Sequence, residues 1–278
     1  MRRVSAAIDD SQSSDSPPDV VGEQVPRGST GNRLTVVLAV GLAAVAVLGL
    51  VATVALVAVR NRAVTTAAPS VVGPSDSTPR ATGIPPSVPT AVANLMGLSP
   101  VPAKAAPPFT LVDQHGSTVS LAALKGHPVV LEFMDPNCVD ICPIVSQEFI
   151  DAYRDLGPSG PDVVFLGVNV NAYHTDVASM KSYSDEHGLS SMSSWHFLTG
   201  RVSDLQSVWQ EYGVAVSAPS PTADVVHTSV VYFIDASGQE RYVAFPMADH
   251  AADGSSYLPA GPTASWGRGI SLVAQALR

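Results

Sequence analysis

The only two cysteines of the chain, Cys138 and Cys142, are separated by three residues. A thiolate is both a nucleophile and a soft metal ligand, so a cysteine pair can exchange disulfides or bind a metal ion. A spacing of four positions brings the two sulfur atoms within reach of each other or of one ion. A structural disulfide is the simpler alternative, but closing so short a loop contributes little stabilisation. The spacing leaves redox chemistry, metal binding or both open.

The segments around the cysteines predict where they lie. Residues 128–133 are mostly apolar and predict a buried central strand, and the Pro136-Asn137 pair then predicts a turn. Pro143 suits the first turn of a helix, which residues 144–156 continue with a helical mixture of apolar and polar positions. The cysteines are therefore expected at a helix N-terminus, where the helix dipole and free N–H groups lower a thiol pKa below about 8.5.

The composition of the chain divides it into four parts. Residues 1–33 are rich in Ser, Asp and Gly and predict a disordered cytoplasmic tail. Residues 34–59 are 26 residues without a charge, long enough for a transmembrane anchor across a bilayer core of about 30 Å. Residues 60–108 carry ten of the 23 prolines and predict an extended linker. Residues 109–278 are sufficient for one folded domain.

The anchor also predicts a location. Its apolar run is too long, and begins too late, for a cleavable signal peptide. Flanking arginines nearly balance, and the more distant Arg2 and Arg3 favour an internal N-terminus. We expect a single-pass protein of the cell membrane with its C-terminal domain on the extracytoplasmic side.

The charge of the folded part restricts its partners. Residues 109–278 hold seven Lys and Arg against 18 Asp and Glu, a formal charge of 7 − 18 = −11. Nucleic acid and anionic membrane surfaces are poor partners for such a domain. An acidic surface suits a cationic partner or a metal ion, although most such acids serve solubility.

The order of predicted elements indicates an α/β domain. Strands alternate with helices, and an antiparallel hairpin and a last helix follow, so that a βαβ half joins a ββα half. This order is typical of a thioredoxin-like fold, here with an N-terminal β-hairpin. The predicted strands are 109–113, 118–120, 129–133, 163–170, 195–198, 229–235 and 240–245, and the predicted helices are 121–125, 144–156, 175–187, 202–212 and 264–277.

Three motifs of this domain resemble the Sco/SenC family of copper-handling, thioredoxin-like proteins. They are Phe109-Thr110-Leu111 with Asp113-Gln114-His115-Gly116, then Cys138-Val139-Asp140-Ile141-Cys142-Pro143, and then Asp224-Val225-Val226-His227-Thr228-Ser229. The resemblance implies one copper ion, Cu(I) or Cu(II), bound by Cys138, Cys142 and His227. It also implies a metallochaperone that serves an apo-cytochrome c oxidase subunit during assembly of the copper centre.

The chain departs from the family pattern at several positions. Val139 stands where Pro is common, and Val226 replaces the usual Asp before the histidine. The turn begins with Met134-Asp135-Pro136-Asn137 in place of the aromatic and Thr residues often seen in the family. Asp135 and Asp140 flank the cysteines and could accept hydrogen bonds around the site or raise the thiol pKa by repulsion, but they are interpreted as solvated turn residues.

Donor chemistry gives separate support for a soft metal. Two thiolates and an imidazole suit Cu(I), whereas structural zinc normally takes a fourth protein ligand. From the residues alone, the favoured interpretation of His227 is an ordinary histidine at a strand end, and the family resemblance changes this to a metal ligand. The other six histidines, His115, His127, His174, His187, His196 and His250, are interpreted as surface or core residues.

Two further functions compete with metal transport. In a membrane-tethered thiol-disulfide oxidoreductase, one of Cys138 and Cys142 would attack a client disulfide and the other would resolve the mixed disulfide. A peroxidase is less well supported, because Asp135 occupies the position of the Thr that peroxidases of this fold use.

Overall fold

The computed structural model describes residues 82–278. The tail predicted at 1–33, the anchor predicted at 34–59 and the linker as far as residue 81 lie outside the described residues. Within residues 82–278 no helix has the length and apolar character needed to cross a membrane.

A six-stranded mixed sheet organises the described residues, with strand order β1-β10-β9-β4-β5-β6. The strands are β1 (Ser99–Ala105), β2 (Thr110–Val112), β3 (Thr118–Ser120), β4 (Val129–Met134), β5 (Val164–Asn169), β6 (Trp195–Leu198), β7 (Val216–Ser217), β8 (Val226–His227), β9 (Val231–Ile234), β10 (Gln239–Ala244), β11 (Asp249–His250) and β12 (Ser256–Tyr257). The helices are α1 (Thr90–Leu95), α2 (Cys142–Leu156), α3 (Val177–Glu186), α4 (Val202–Glu211) and α5 (Ala260–Ala276).

The pairing of the sheet confirms the predicted α/β class and its two halves. Strands β4, β5 and β6 are parallel neighbours, as the crossovers through α2 and α3 require. Strands β9 and β10 are antiparallel neighbours, and β9 also pairs antiparallel with β4. Helix α5 follows β10 and completes the ββα half.

Strand β4 lies in the interior of the sheet, between two hydrophobic cores. All six of its residues are buried, and alternate side chains enter opposite cores. Val130 and Met134 pack in the core that also contains Phe149 of α2. Leu131 and Phe133 pack in the other core. The strand that leads to the cysteines is thus held from both faces.

The linker prediction is wrong for residues 82–108. Helix α1 and strand β1 lie in this range, and β1 pairs antiparallel with β10 at the edge of the sheet. Buried Val88, Met96 and Leu98 belong to the main core, so this segment has an apolar face that its proline content obscured. Proline is tolerated on an edge strand, and the β1 pairing shifts register between Pro100 and Lys104.

The other boundaries differ from prediction by a few residues. The predicted hairpin is formed by β2 and β3, and the predicted helix at 121–125 is a 3₁₀ turn at Leu121–Leu124. Helix α2 begins at Cys142, two residues earlier than expected. Two short antiparallel ribbons, β7 with β8 and β11 with β12, were missed.

Helix α5 packs so closely on α2 that a methyl group does not fit between them. A Cβ atom at Gly267 would lie 2.6 Å from Asp151 Cβ and 3.1 Å from the carbonyl oxygen of Glu148. We expect Gly267→Ala to lower the free energy of unfolding by about 1–3 kcal/mol, because the helices must separate. A Cβ atom at Gly261 of the same helix meets nothing within 4 Å, so Gly261→Ala should leave the free energy of unfolding unchanged or raise it by up to about 1 kcal/mol. Urea unfolding compares them, and equal midpoints would contradict the packing.

Candidate functional site

The two cysteines lie at the junction between β4 and α2. Strand β4 ends at Met134, and α2 begins at Cys142 without a side-chain cap from any described residue. Both cysteines are free thiols. Cys142 is only 2% exposed, whereas Cys138 is half-buried. The two thiols thus lie at a helix N-terminus, as the sequence predicted, and one of them is buried whereas the other is accessible.

Hydrogen bonds divide the roles of the two thiols. The thiol of Cys142 donates to the Cys138 sulfur, and this bond is the main reason that the pKa of Cys138 falls to about 7, against the opposing effect of burial. The backbone N–H groups of Cys142 and Asp140 also donate to the Cys138 sulfur and lower its pKa. The same thiol pair, together with burial, raises the pKa of Cys142. About half of Cys138 is therefore thiolate at neutral pH, whereas Cys142 holds its proton.

His227 lies on the ribbon formed by β7 and β8, where it pairs with Val216. Its Nδ1 atom is 3.0 Å from the carbonyl oxygen of Thr228. Because a carbonyl oxygen only accepts, the neutral ring carries its proton on Nδ1, and Nε2 keeps a free lone pair. Burial lowers the pKa of His227, although the Thr228 carbonyl and the charge of Asp135 act in the opposite direction. The ring is therefore neutral near pH 7 and able to bind a metal.

A cavity of about 390 Å³ joins the cysteine turn to the His227 segment. Cys138 and His227 both line it, whereas Cys142 is buried and is not among the lining residues. Within residues 82–278 no group of three His, Cys, Asp or Glu side chains converges closely enough to hold a metal ion. The arrangement brings the two sulfurs together and places the imidazole at the same cavity. Ligation by all three residues remains a prediction.

Asp135 is not the solvated turn residue that the sequence suggested. It is 6% exposed, and its Oδ1 accepts hydrogen bonds from the Asn137 backbone N–H at 2.9 Å and from Asn171 Nδ2 at 3.0 Å. Asn171 follows strand β5, so the carboxyl ends of two parallel strands together hold the start of the cysteine turn. Sequence reasoning missed Asn171, whose only signal is its position just after a buried strand.

Asp140, between the two cysteines, is exposed but has a partner. The hydroxyl group of Ser256 donates to Asp140 and lies 3.0 Å from His250 Nδ1. The ribbon formed by β11 and β12 is thereby attached to the cysteine turn. The sequence gave no reason to place His250 near the site.

Two buried glutamates lie on the strand and the helix that flank the cysteine turn. Glu132 of β4 accepts a hydrogen bond from Ser229 at 2.9 Å, while its Oε2 and both carboxylate oxygens of Glu148 on α2 have no partner among the described residues. Burial raises the pKa of Glu132 to about 8 and that of Glu148 to about 9. Both side chains are therefore largely protonated at neutral pH.

The remaining histidines lie apart from the main cavity. His196 Nδ1 is 3.0 Å from Asp113 Oδ2, and His127 Nδ1 is 3.0 Å from the Asp162 carbonyl oxygen. His187 stacks on Tyr183 and lines a second cavity that also reaches Cys138.

Comparison with known proteins adds a family to this geometry. The family model described as SCO1/SenC matches residues 99–253. The SCO1 protein homolog of Bacillus subtilis is 28% identical over 134 residues, which cover 48% of this chain and 69% of that protein. The chloroplastic peroxiredoxin Q of Triticum aestivum is 29% identical over 137 residues, covering 49% of this chain and only 55% of that protein.

A solved structure supports the fold. The SCO1/SenC family lipoprotein from Bacillus anthracis superposes with a TM-score of 0.51 at 21% sequence identity, covering 64% of this chain and 97% of that chain. Likeness at this level of identity concerns the arrangement of the strands and helices.

Proposed function

Since the chain belongs to the SCO1/SenC family, whose model matches more than half of it, we propose that it is a copper-binding metallochaperone. It captures one copper ion through Cys138, Cys142 and His227 and delivers the ion to an apo-cytochrome c oxidase subunit. The segment at 34–59 would tether it to the cell membrane, with the folded domain on the extracytoplasmic side.

The observation that carries this proposal is the shared cavity. Cys138, with a lowered thiol pKa, and His227, with Nε2 free, face the same space of about 390 Å³. Cys142 is hydrogen-bonded to Cys138 and supplies a second sulfur. Two thiolates and a neutral imidazole are the donors that Cu(I) prefers.

The geometry suggests an order of events for the protein groups. Cys138 is the more accessible thiol and the one with the lower pKa, so its thiolate would meet the cargo first. Cys142 then releases its proton and becomes the second ligand. Its thiolate is stabilised by the helix N-terminus. His227 completes the set through Nε2, while the Thr228 carbonyl holds its Nδ1–H and fixes the tautomer. The open side of the cavity lets the ligands of a recipient replace these donors one at a time.

Copper titration of the reduced full chain tests the proposal. We expect binding of one equivalent, and with Cu(II) an absorption band from thiolate-to-copper charge transfer. Cys138→Ser and Cys142→Ser should each remove tight binding, because one sulfur of the pair is lost. Stoichiometric copper without a sulfur band, or no copper binding by the reduced protein, would refute it.

A second function is favoured by the asymmetry of the thiols. The accessible, low-pKa Cys138 suits attack on a client disulfide, and the buried Cys142 suits release of the mixed disulfide. A thiol-disulfide oxidoreductase needs both cysteines but has no need of His227. The peroxidase alternative lacks its Thr hydroxyl, since Asp135 occupies that position and is held by Asn171.

A further inference from the structure

Two aliphatic side chains face solvent at the mouth of the main cavity. Val139 is 90% exposed and Val226 is 70% exposed, and both line the cavity. Each is the immediate neighbour of a proposed ligand, Val139 of Cys138 and Val226 of His227. Two exposed aliphatic side chains at one cavity give its rim apolar surface that is available to a partner.

The charges around these valines have one sign. Asp135, Asp140 and Asp224 line the cavity, and no Lys or Arg is among the lining residues. Asp140 and Asp224 are exposed, whereas Asp135 is buried. The chain has no Lys or Arg between Lys125 and Arg154, nor between Arg201 and Arg241, so neither segment of the wall brings a compensating cation.

We propose that this mouth is a docking surface for a basic protein partner, which places an apolar side chain between Val139 and Val226 and Lys or Arg side chains opposite Asp140 and Asp224. This inference rests on the proposed function, because the partner that docks here is the recipient of the copper. An anionic membrane surface would be repelled by the same acids. Charge complementarity accelerates encounter, and the apolar contact brings the recipient's ligands to the open side of the cavity.

Binding of two synthetic peptides to the copper-free full chain tests the surface directly. Both peptides carry a central Leu and no cysteine, and they differ only in flanking Lys or Glu residues. Fluorescence anisotropy should show the Lys peptide binding at least about tenfold more tightly at low salt. The difference should shrink near 1 M salt, where the Debye length is about 3 Å.

Substitutions at the cavity mouth distinguish the contribution of charge to peptide binding from that of apolar surface. Asp224→Asn should weaken Lys-peptide binding by about threefold, whereas Glu211→Gln, the same charge change at an exposed helical site outside the cavity lining, should not. Val226→Ser should weaken binding, and Val226→Leu should preserve it, because only the apolar surface differs. Equal affinity for the Lys and Glu peptides, or equal effects of Asp224→Asn and Glu211→Gln, would overturn the docking surface.

Copper loading is measured separately on the same protein. Peptide preference without copper binding would support the docking surface and refute the metallochaperone. Binding of one equivalent of copper without any peptide preference would support the metallochaperone and refute the docking surface.

Discussion

Replacement of His227 by Ala is expected to abolish stoichiometric copper retention while the thiols still reduce a model disulfide. The substitution removes the one imidazole at the cavity wall, and leaves the hydrogen-bonded pair of Cys138 and Cys142 in place. Loss of an outer-shell partner alone weakens metal binding by about 10–100-fold, so loss of a direct ligand should exceed the upper end of that range. Competition with a Cu(I) chelator measures the affinity, and a coupled assay measures disulfide reduction.

His115→Ala is the matched control, because His115 is exposed on the turn between β2 and β3, away from the cavity lining. His115→Ala should leave both the copper affinity and the reduction of the model disulfide unchanged. Copper held by the His227→Ala protein as tightly as by the unsubstituted protein would remove the imidazole from the site. If neither the unsubstituted protein nor the His227→Ala protein retains copper, and both reduce disulfides efficiently, the chain is better described as an oxidoreductase.

Replacement of Glu148 by Gln should stabilise the fold at alkaline pH. Burial raises the pKa of Glu148 to about 9, whereas an unfolded Glu titrates near about 4.3. Between these values the folded state holds a proton that the unfolded chain releases, so stability falls as pH rises, by at most about 1.4 kcal/mol per pH unit for this group. A glutamine has no proton to lose, and the variant should gain up to about 4 kcal/mol over the original protein between pH 5 and pH 8.

Urea unfolding at pH 5, 6.5 and 8 measures this slope. Glu211→Gln changes an exposed glutamate and should leave the slope unchanged. Glu132 should contribute a similar dependence that persists in the Glu148→Gln protein, because burial raises its pKa to about 8. Identical slopes for the original and Glu148→Gln proteins would show that Glu148 is hydrated or paired in solution.

The elements that local pattern determines were predicted well. Strands β4 and β5 are continuous apolar runs, which are typical of buried parallel strands, and both were located within one residue of each end. The position of the cysteines at the start of α2 followed from the turn signal and Pro143. By contrast, α1 and β1 were assigned to a linker, because proline content suggests an extended chain when pairing with β10 is unknown.

The candidate site was only partly predictable, for a related reason. Cys138 and Cys142 lie on one short turn, and sequence spacing is sufficient to pair them. His227 is 85 positions after Cys142, and only family resemblance singled it out from the other histidines. The partners of Asp135 and the burial of Glu148 depend on contacts between distant segments. Residue type misled for Asp135, since an acidic residue in a turn is usually solvated.

Strand β8, which carries His227, is paired with β7 through Val216 with His227 and Ser217 with Val226, and the Thr228 N–H donates to the Ala215 carbonyl beside them. The cysteines instead follow β4, which pairs with β5 along its whole length and with β9 on its other side. Moving the His227 segment away from β7 would break few backbone hydrogen bonds, each worth about 1 kcal/mol. Under the proposed function, release of the copper ion toward this side would require movement of this short segment only, while the sheet that holds the cysteines stays paired.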